Sequence, residues 1–151
     1  MANHVRQQIR EAVAVLLTGL TTSGARVFQS RLYALSQAEL PGLVITTNEE
    51  QVEFGSLGFP PLLNRRLNLQ VRALAQANNN LDETLDNMIK EVESALSNSI
   101  VANTLNGLVK STGLSSIYID MSAESEQPIG QAVMNFTVDY KTQANTPDIS
   151  I

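Results

Sequence analysis

The sequence predicts an α/β chain of the α+β kind, in which a mixed, mostly antiparallel sheet of about five strands carries two main helices on one face. Segments 3–20 and 81–96 repeat apolar residues at helical spacing. Segments 65–77 and 131–142 alternate apolar and polar residues, as half-buried strands do. Because each helix and each strand has one apolar side, packing both helices on one face of the sheet buries all of these sides together.

The two helices also carry signals for where they begin. The first is predicted from about Asn3, as N-cap, to Leu20. The second is predicted to begin after Asn80, which with Glu83 has the spacing of a capping box. Its core stripe is Leu81, Leu85, Met88, Ile89, Val92 and Leu96. A further short helix on the core is predicted within 97–113, from Ile100, Val101, Leu105, Leu108 and Val109.

The strands are predicted at 25–28, 43–47, 65–77, 117–121 and 131–142. In the last of them one set of alternate residues is apolar and is predicted to face the core: Ala132, Met134, Phe136, Val138 and Tyr140. The other set is polar and is predicted to face away from the helices: Asn135, Thr137, Asp139 and Lys141. A polar face of this kind suits contact with a neighbouring subunit.

Residues 51–64 interrupt this regular pattern. Two glycines and two prolines within the segment predict a long loop without regular structure. The loop is nevertheless apolar, with Phe54, Leu57, Phe59, Leu62 and Leu63. Such a loop either folds back as a lid on the core or contacts a partner, and the sequence leaves both open.

Charged residues flank the loop, with Glu49, Glu50 and Glu53 on one side and Arg65 and Arg66 on the other. Acid–base catalysis would need a concave site, and a divalent cation would need further oxygen ligands at regular spacing. A charged edge is the better interpretation. The sequence leaves open whether the two groups pair within one subunit or between subunits.

Composition limits the function further. The chain has 151 residues, a net charge of −5, one His and no Cys. This length suits a single domain over 1–151, in which 143–151 is expected to be a flexible tail. An acidic chain does not suit phosphate neutralisation, and the scarcity of His and Cys argues against an enzyme. We therefore expect no catalytic, cofactor or metal site, and no apolar run is long enough to span a membrane.

Two extended blocks share one plan. Residues 39–50 enter a strand through Pro41-Gly42, and residues 127–142 enter a strand through Pro128-Ile129-Gly130. With the helix that precedes the first block, this order of elements resembles the tail terminator (minor tail protein U-like) family of long-tailed bacteriophages. The resemblance covers most of the chain in element order and includes no catalytic signature.

The resemblance implies a structural virion protein that forms a ring, expected to be hexameric, on the completed tail tube. Such a ring ends tube polymerisation and offers a surface for head attachment. The implied partners are other copies of the chain, the tail tube protein and the head–tail connector, with DNA only passing through the lumen. The implied place is the head-proximal end of the tail, after assembly in the host cytoplasm.

The interface candidates in such a ring are Glu49, Glu50, Glu53, Phe54, Leu57, Phe59, Arg65 and Arg66. Two alternatives remain beside this hypothesis. One is another head–tail connector or tail-completion protein, and the other is a small-molecule-binding regulatory α/β module.

Overall fold

The computed structural model describes residues 3–31, 35–76, 80–122 and 129–151. It contains three α-helices, five strands and one turn of 3-10 helix at Gln37–Glu39 within these ranges. The helices are α1 (Val5–Leu17), α2 (Leu81–Ser97) and α3 (Ile100–Asn103). The strands are β1 (Val27–Gln29), β2 (Gly42–Phe54), β3 (Leu62–Gln76), β4 (Ser111–Ser122) and β5 (Ile129–Gln143).

The strands form one sheet in the order β1-β2-β3-β5-β4. Only β1 is parallel to its neighbour, β2, and the other three pairs are antiparallel. This confirms the predicted α+β class with a mixed, mostly antiparallel five-stranded sheet. The two central strands, β3 and β5, pair along their whole length, from Leu62 with Gln143 to Gln76 with Ile129.

The core lies between one face of the sheet and the helices α1 and α2. On β3, Leu67, Leu69 and Val71 are fully buried and pair with Val138, Phe136 and Met134 of β5. The predicted stripe of α2 is buried along its whole length. The buried residues of α1 are Val5, Ile9, Val13, Ala14 and Leu17. The alternation in β3 and β5 and the periodicity of both helices are therefore confirmed.

The helix ends differ from the prediction. The N-cap of α1 is His4 and not Asn3, because the Nδ1 atom of His4 accepts a hydrogen bond from the backbone N–H of Arg6 at 3.0 Å. The helix ends at Leu17, ahead of Gly19, whose φ of +93° does not continue a helix. Asn80 is the N-cap of α2, but its side chain makes no capping hydrogen bond. The predicted capping box is therefore wrong.

The predicted long loop at 51–64 is also wrong in its extent. β2 continues to Phe54, which pairs with Leu63 of β3, so the loop is only 55–61. The backbone of 51–54 is satisfied by ladder hydrogen bonds, while its side chains are exposed. A strand exposed on both faces does not need to alternate, and so the sequence gives no period-2 signal there.

The remaining strand ends also extend beyond the prediction. β4 begins at Ser111 and not at 117, and its register shifts at a bulge between Leu114 and Ser116. β1 lies at Val27–Gln29, one or two residues later than predicted. The turn predicted at Pro128 and the last residue of the predicted third strand, Ala77, lie outside the described residues.

The C-terminal residues 144–151 lie against the body of the domain. The backbone N–H of Ala144 donates to the carbonyl of Pro61, and the N–H of Val5 donates to the carbonyl of Pro147, each at 2.9 Å. The N–H of Ile151 donates to the carbonyl of Lys141 at 3.0 Å. The segment thus joins the start of α1 to the ends of β3 and β5.

Candidate assembly surfaces

A β-bulge decides which of the acidic side chains points toward the helices. The register of β2 on β3 shifts between Thr47 and Glu49, so that Glu50 stands opposite the buried Leu67 and Glu49 stands opposite Asn68. One extra residue in a strand moves the following side chains to the other face. Glu50 is therefore on the helix side of the sheet, and Glu49 is on the outer side.

Glu50 is the centre of a charge cluster, formed with the buried Arg65 and Tyr140 and with the partly exposed Arg6. Its carboxylate is 3.0 Å from Nη1 of Arg65 and 3.3 Å from Nη1 of Arg6. The side chains of Glu50 and Arg65 are only 6% and 10% exposed. The Tyr140 hydroxyl donates a hydrogen bond to Glu50, and burial together with this hydrogen bond raises the pKa of Tyr140. The cluster connects α1, β2, β3 and β5 inside one subunit.

The sequence left open whether the predicted interface charges pair within one subunit or between subunits. For Glu50 and Arg65 the pair lies within the subunit, with side chains 6% and 10% exposed. Glu49, Glu53 and Arg66 remain exposed on the outer side. Arg66 pairs with Asp139 at 3.0 Å, and that hydrogen bond raises the pKa of Arg66. A role for Glu49, Glu53 and Arg66 between subunits stays a prediction.

A shallow groove of about 500 Å³ runs beside these residues. It is lined by four basic side chains, which are Arg65, Arg66, Lys110 and Lys141, and by the acidic side chains of Glu53 and Asp139. The chain has ten Lys and Arg in total, so this end of the sheet concentrates positive charge in an otherwise acidic subunit.

The last residue of β2 and the loop that follows it carry three exposed apolar side chains, which we call the hairpin tip. Phe54, Leu57 and Phe59 are 77%, 104% and 99% exposed. The loop has a defined shape, since the N–H of Gly55 donates to the carbonyl of Leu62 at 2.6 Å and the N–H of Leu62 donates to Oγ of Ser56 at 2.9 Å. The tip covers no part of the core. Of the two possibilities left open by the sequence, the lid is therefore wrong.

A second apolar surface lies among the helices, and we call it the helix groove. It has a volume of about 590 Å³. Val15 of α1 and Val101 of α3 are 75% and 57% exposed there. Its other apolar lining residues are Ala12, Leu16, Ala95, Ala102 and Leu105. The predicted short helix exists, with Leu105 and Val109 buried behind it, but Ile100 and Val101 face solvent and not the core.

A third exposed surface is the free edge of the sheet. β4 is the last strand in the sheet order. Leu114, Ile117, Ile119 and Met121 stand opposite core-facing residues of β5, yet they remain about half exposed. The helices therefore do not reach fully across this strand.

None of the helices among the described residues is long and apolar enough to cross a membrane. Within the same residues, no group of three His, Asp or Glu side chains is placed to hold a metal ion.

Comparison with known proteins gives distant similarity to solved structures only. No protein-family model matches the chain, and no curated protein sequence matches it. Among solved structures, a chain in the virion of a native gene transfer agent particle is similar to it, with 14% identity and a TM-score of 0.41. The alignment covers 90% of this chain and 92% of that chain. A similarity at this level assigns neither a family nor a function.

Proposed function

We propose that this protein is a structural component of a phage virion, which assembles as a ring of identical subunits and caps the tail tube. The observation that carries the proposal is the hairpin tip. Phe54, Leu57 and Phe59 project beyond the core at the end of a rigid hairpin, and all three are exposed. Clustered apolar side chains on a protrusion are typical of a surface that is covered by a partner.

The order of elements supports the choice of partner. The helix α1, the strands of the mixed sheet and the helix α2 occur along the chain in the order of elements on which the resemblance to the tail terminators rests. A cap needs surfaces for its own copies, for the tail tube and for the head–tail connector. The hairpin tip, the helix groove and the edge of β4 are three separate exposed apolar surfaces, so the subunit has enough of them for several partners.

The charge of the subunit also fits this role. A ring of subunits with a net charge of −5 each repels the phosphates of DNA, so DNA passes through its lumen without binding. The charged side chains of Glu49, Glu53 and Arg66, on the outer side of the sheet, are then candidates for the rim of the interface between neighbouring subunits. Exposed pairs of this kind contribute about 0–1 kcal/mol each and mainly set register. In this role the protein acts by binding alone, without a catalytic residue, cofactor or metal.

Removal of the protein from infected cells tests the proposal. We expect tails that grow past their normal length and lack heads, and wild-type protein supplied in trans should restore normal length. A head–tail connector would give a different result, namely tails of normal length without heads. Complete virions in the absence of the protein would overturn the proposal. Phe59→Asp should fail to complement although the subunit folds, because Phe59 is 99% exposed.

A further inference from the structure

The hairpin tip and the helix groove are separate surfaces of the subunit, and the tip is not seated in its own groove, because Leu57 and Phe59 are 104% and 99% exposed. Arg6, near the start of α1, pairs with Glu50 at 3.3 Å. One turn later, Arg10 Nη1 donates to Oγ1 of Thr47 at 3.1 Å. The helix α1 therefore runs antiparallel to β2, so that residues later in α1 lie further from the tip.

The separation follows from the geometry of the two elements. From Thr47 to the tip loop at Gly55, the strand advances by roughly 26 Å at about 3.3 Å per residue. From Arg10 to Val15, the helix advances by roughly 7 Å in the other direction at about 1.5 Å per residue. Because the hairpin is paired as far as Phe54 and Leu63, it cannot bend back across this distance. The tip does not reach the groove of its own subunit.

The two surfaces match in chemistry and in size. A Phe side chain buries about 150–250 Å², so the tip offers on the order of 500 Å² of apolar surface. A standard interface buries about 800 Å² on each partner, and the tip therefore supplies more than half of what a specific contact needs. The groove, at about 590 Å³, lies within the range of about 300–1,000 Å³ that is usual for binding pockets.

We propose that the hairpin tip of one subunit inserts into the helix groove of a second copy of this chain. A protrusion and a recess on two different surfaces of one molecule make a heterologous contact, which repeats head to tail and closes into a ring when the rotation allows it. This inference deepens the ring of the proposed function and rests on it for the closed form. The contact itself does not depend on a tail tube.

The absence of Cys from the natural chain makes disulfide trapping a clean test. Leu57→Cys places a thiol on the tip, and Val101→Cys places one in the groove. Asn87→Cys serves as a matched control, because Asn87 is exposed on α2 outside the groove. The purified variants are oxidised with copper phenanthroline at increasing protein concentration and separated on a non-reducing gel.

We expect the mixture of Leu57→Cys and Val101→Cys to give a cross-linked dimer, and the mixture of Leu57→Cys and Asn87→Cys to give about tenfold less of it. The double variant Leu57→Cys/Val101→Cys should give a ladder of higher oligomers. Adding Phe59→Asp should abolish the ladder while the circular dichroism spectrum stays unchanged. Cross-linking equal to the control, tip-to-tip dimers from Leu57→Cys alone, or no cross-link at the highest attainable concentration would each overturn the contact.

The results also separate this inference from the proposed function. If the ladder forms but tails keep their normal length without the protein, the contact stands and the cap is wrong. If the protein caps tails but tip and groove do not cross-link, the cap stands and the contact is wrong.

Discussion

Glu50 and Arg65 bind each other across the β2–β3 pair, with Nη1 of Arg65 3.0 Å from Oε2 of Glu50. This contact lies inside the subunit and is almost completely buried. Arg65 also donates from Nε to Oγ1 of Thr142 at 3.0 Å, and its guanidinium lies 5.9 Å from the centre of the Tyr140 ring. Glu50 and Arg65 therefore hold the base of the hairpin in place, while the side chains of the tip are exposed.

Removing one partner from this pair should destabilise the fold. We expect Glu50→Ala to lower the free energy of unfolding by about 3–5 kcal/mol, because Arg65 is left buried without its counter-charge. The matched control is Glu49→Ala, one residue away on the exposed side, which should change it by less than about 0.5 kcal/mol. Urea denaturation of the two variants measures both values. Equal effects would mean that the cluster does not stabilise the subunit.

His4 should stabilise the start of α1 in a pH-dependent way. His4→Ala should lower the free energy of unfolding by about 0.5–2 kcal/mol, the usual cost of losing an N-cap. Burial, together with the neighbouring charge of Arg6, lowers the pKa of His4 below its ordinary value of 6.5. The unfolded chain then binds the proton more readily, so stability is full above pH 6.5 and falls as the pH drops from 6.5 toward the folded-state pKa.

The control for this prediction is His4→Asn, which keeps a capping acceptor that does not titrate. Its unfolding free energy at neutral pH should be within about 0.5 kcal/mol of wild type, since Asn is a preferred N-cap residue. Below pH 6.5 the wild type should lose stability relative to His4→Asn. Parallel pH profiles of the two proteins would show that His4 does not cap the helix in solution.

Phe136 should be one of the most sensitive positions in the core. It is 2% exposed and stands opposite the buried Leu69 on the central strand pair. Phe136→Ala should cost about 3–5 kcal/mol of unfolding free energy, through lost burial and the cavity that it leaves. Phe59→Ala removes the same atoms from the exposed tip and should leave the melting temperature of the subunit unchanged. A comparable loss of stability in both variants would contradict the assignment of Phe136 to the core and of Phe59 to the exposed tip.

The pair of Arg31 and Glu39 should stabilise the fold near neutral pH and lose this contribution at acidic pH. Hydrogen bonds from Arg31 and from the N–H of Ser36 lower the pKa of Glu39 from 4.5 to about 2. Because the folded-state pKa is depressed, the stabilisation is present above pH 4.5 and is lost as the pH falls toward about 2. The melting temperature of Glu39→Gln should therefore fall less steeply than that of wild type over this range. If the melting temperatures of the two proteins fall with identical slopes against pH, the interaction of Glu39 with Arg31 does not stabilise the fold.

The parts of the fold that bury one face could be predicted from the sequence, and the exposed parts could not. Apolar and polar residues alternate along β5 through Phe136 and Tyr140. This alternation predicts the strand, because a half-buried strand has one apolar face and one polar face. The end of β2 is exposed on both faces, so its residues carry no such pattern and look like a loop. The bulge that turns Glu50 inward adds one residue to the strand without a Gly or Pro signal. His4 as an N-cap is likewise set by the contact of Nδ1 with the Arg6 N–H, since His is an unusual residue at that position.

Of the candidate site, the sequence identified the apolar tip and the charges around it. It missed the helix groove, because Val101 fits the apolar periodicity of a core and only the packed structure shows that nothing in the described residues covers it. Val15 carried the one available signal. It lies off the stripe that Ile9, Val13 and Leu17 share on α1, and an apolar residue outside the buried stripe is often a contact residue.

Electron microscopy of the purified protein mixed with growing tail tubes shows whether the protein caps the tube. We expect a ring of six subunits on one end of each tube, with no further growth at that end and with tube lengths fixed by the time of addition. The same experiment with Phe59→Asp should show tubes that continue to grow. Bare tube ends and continued growth in the presence of folded wild-type protein would contradict the account.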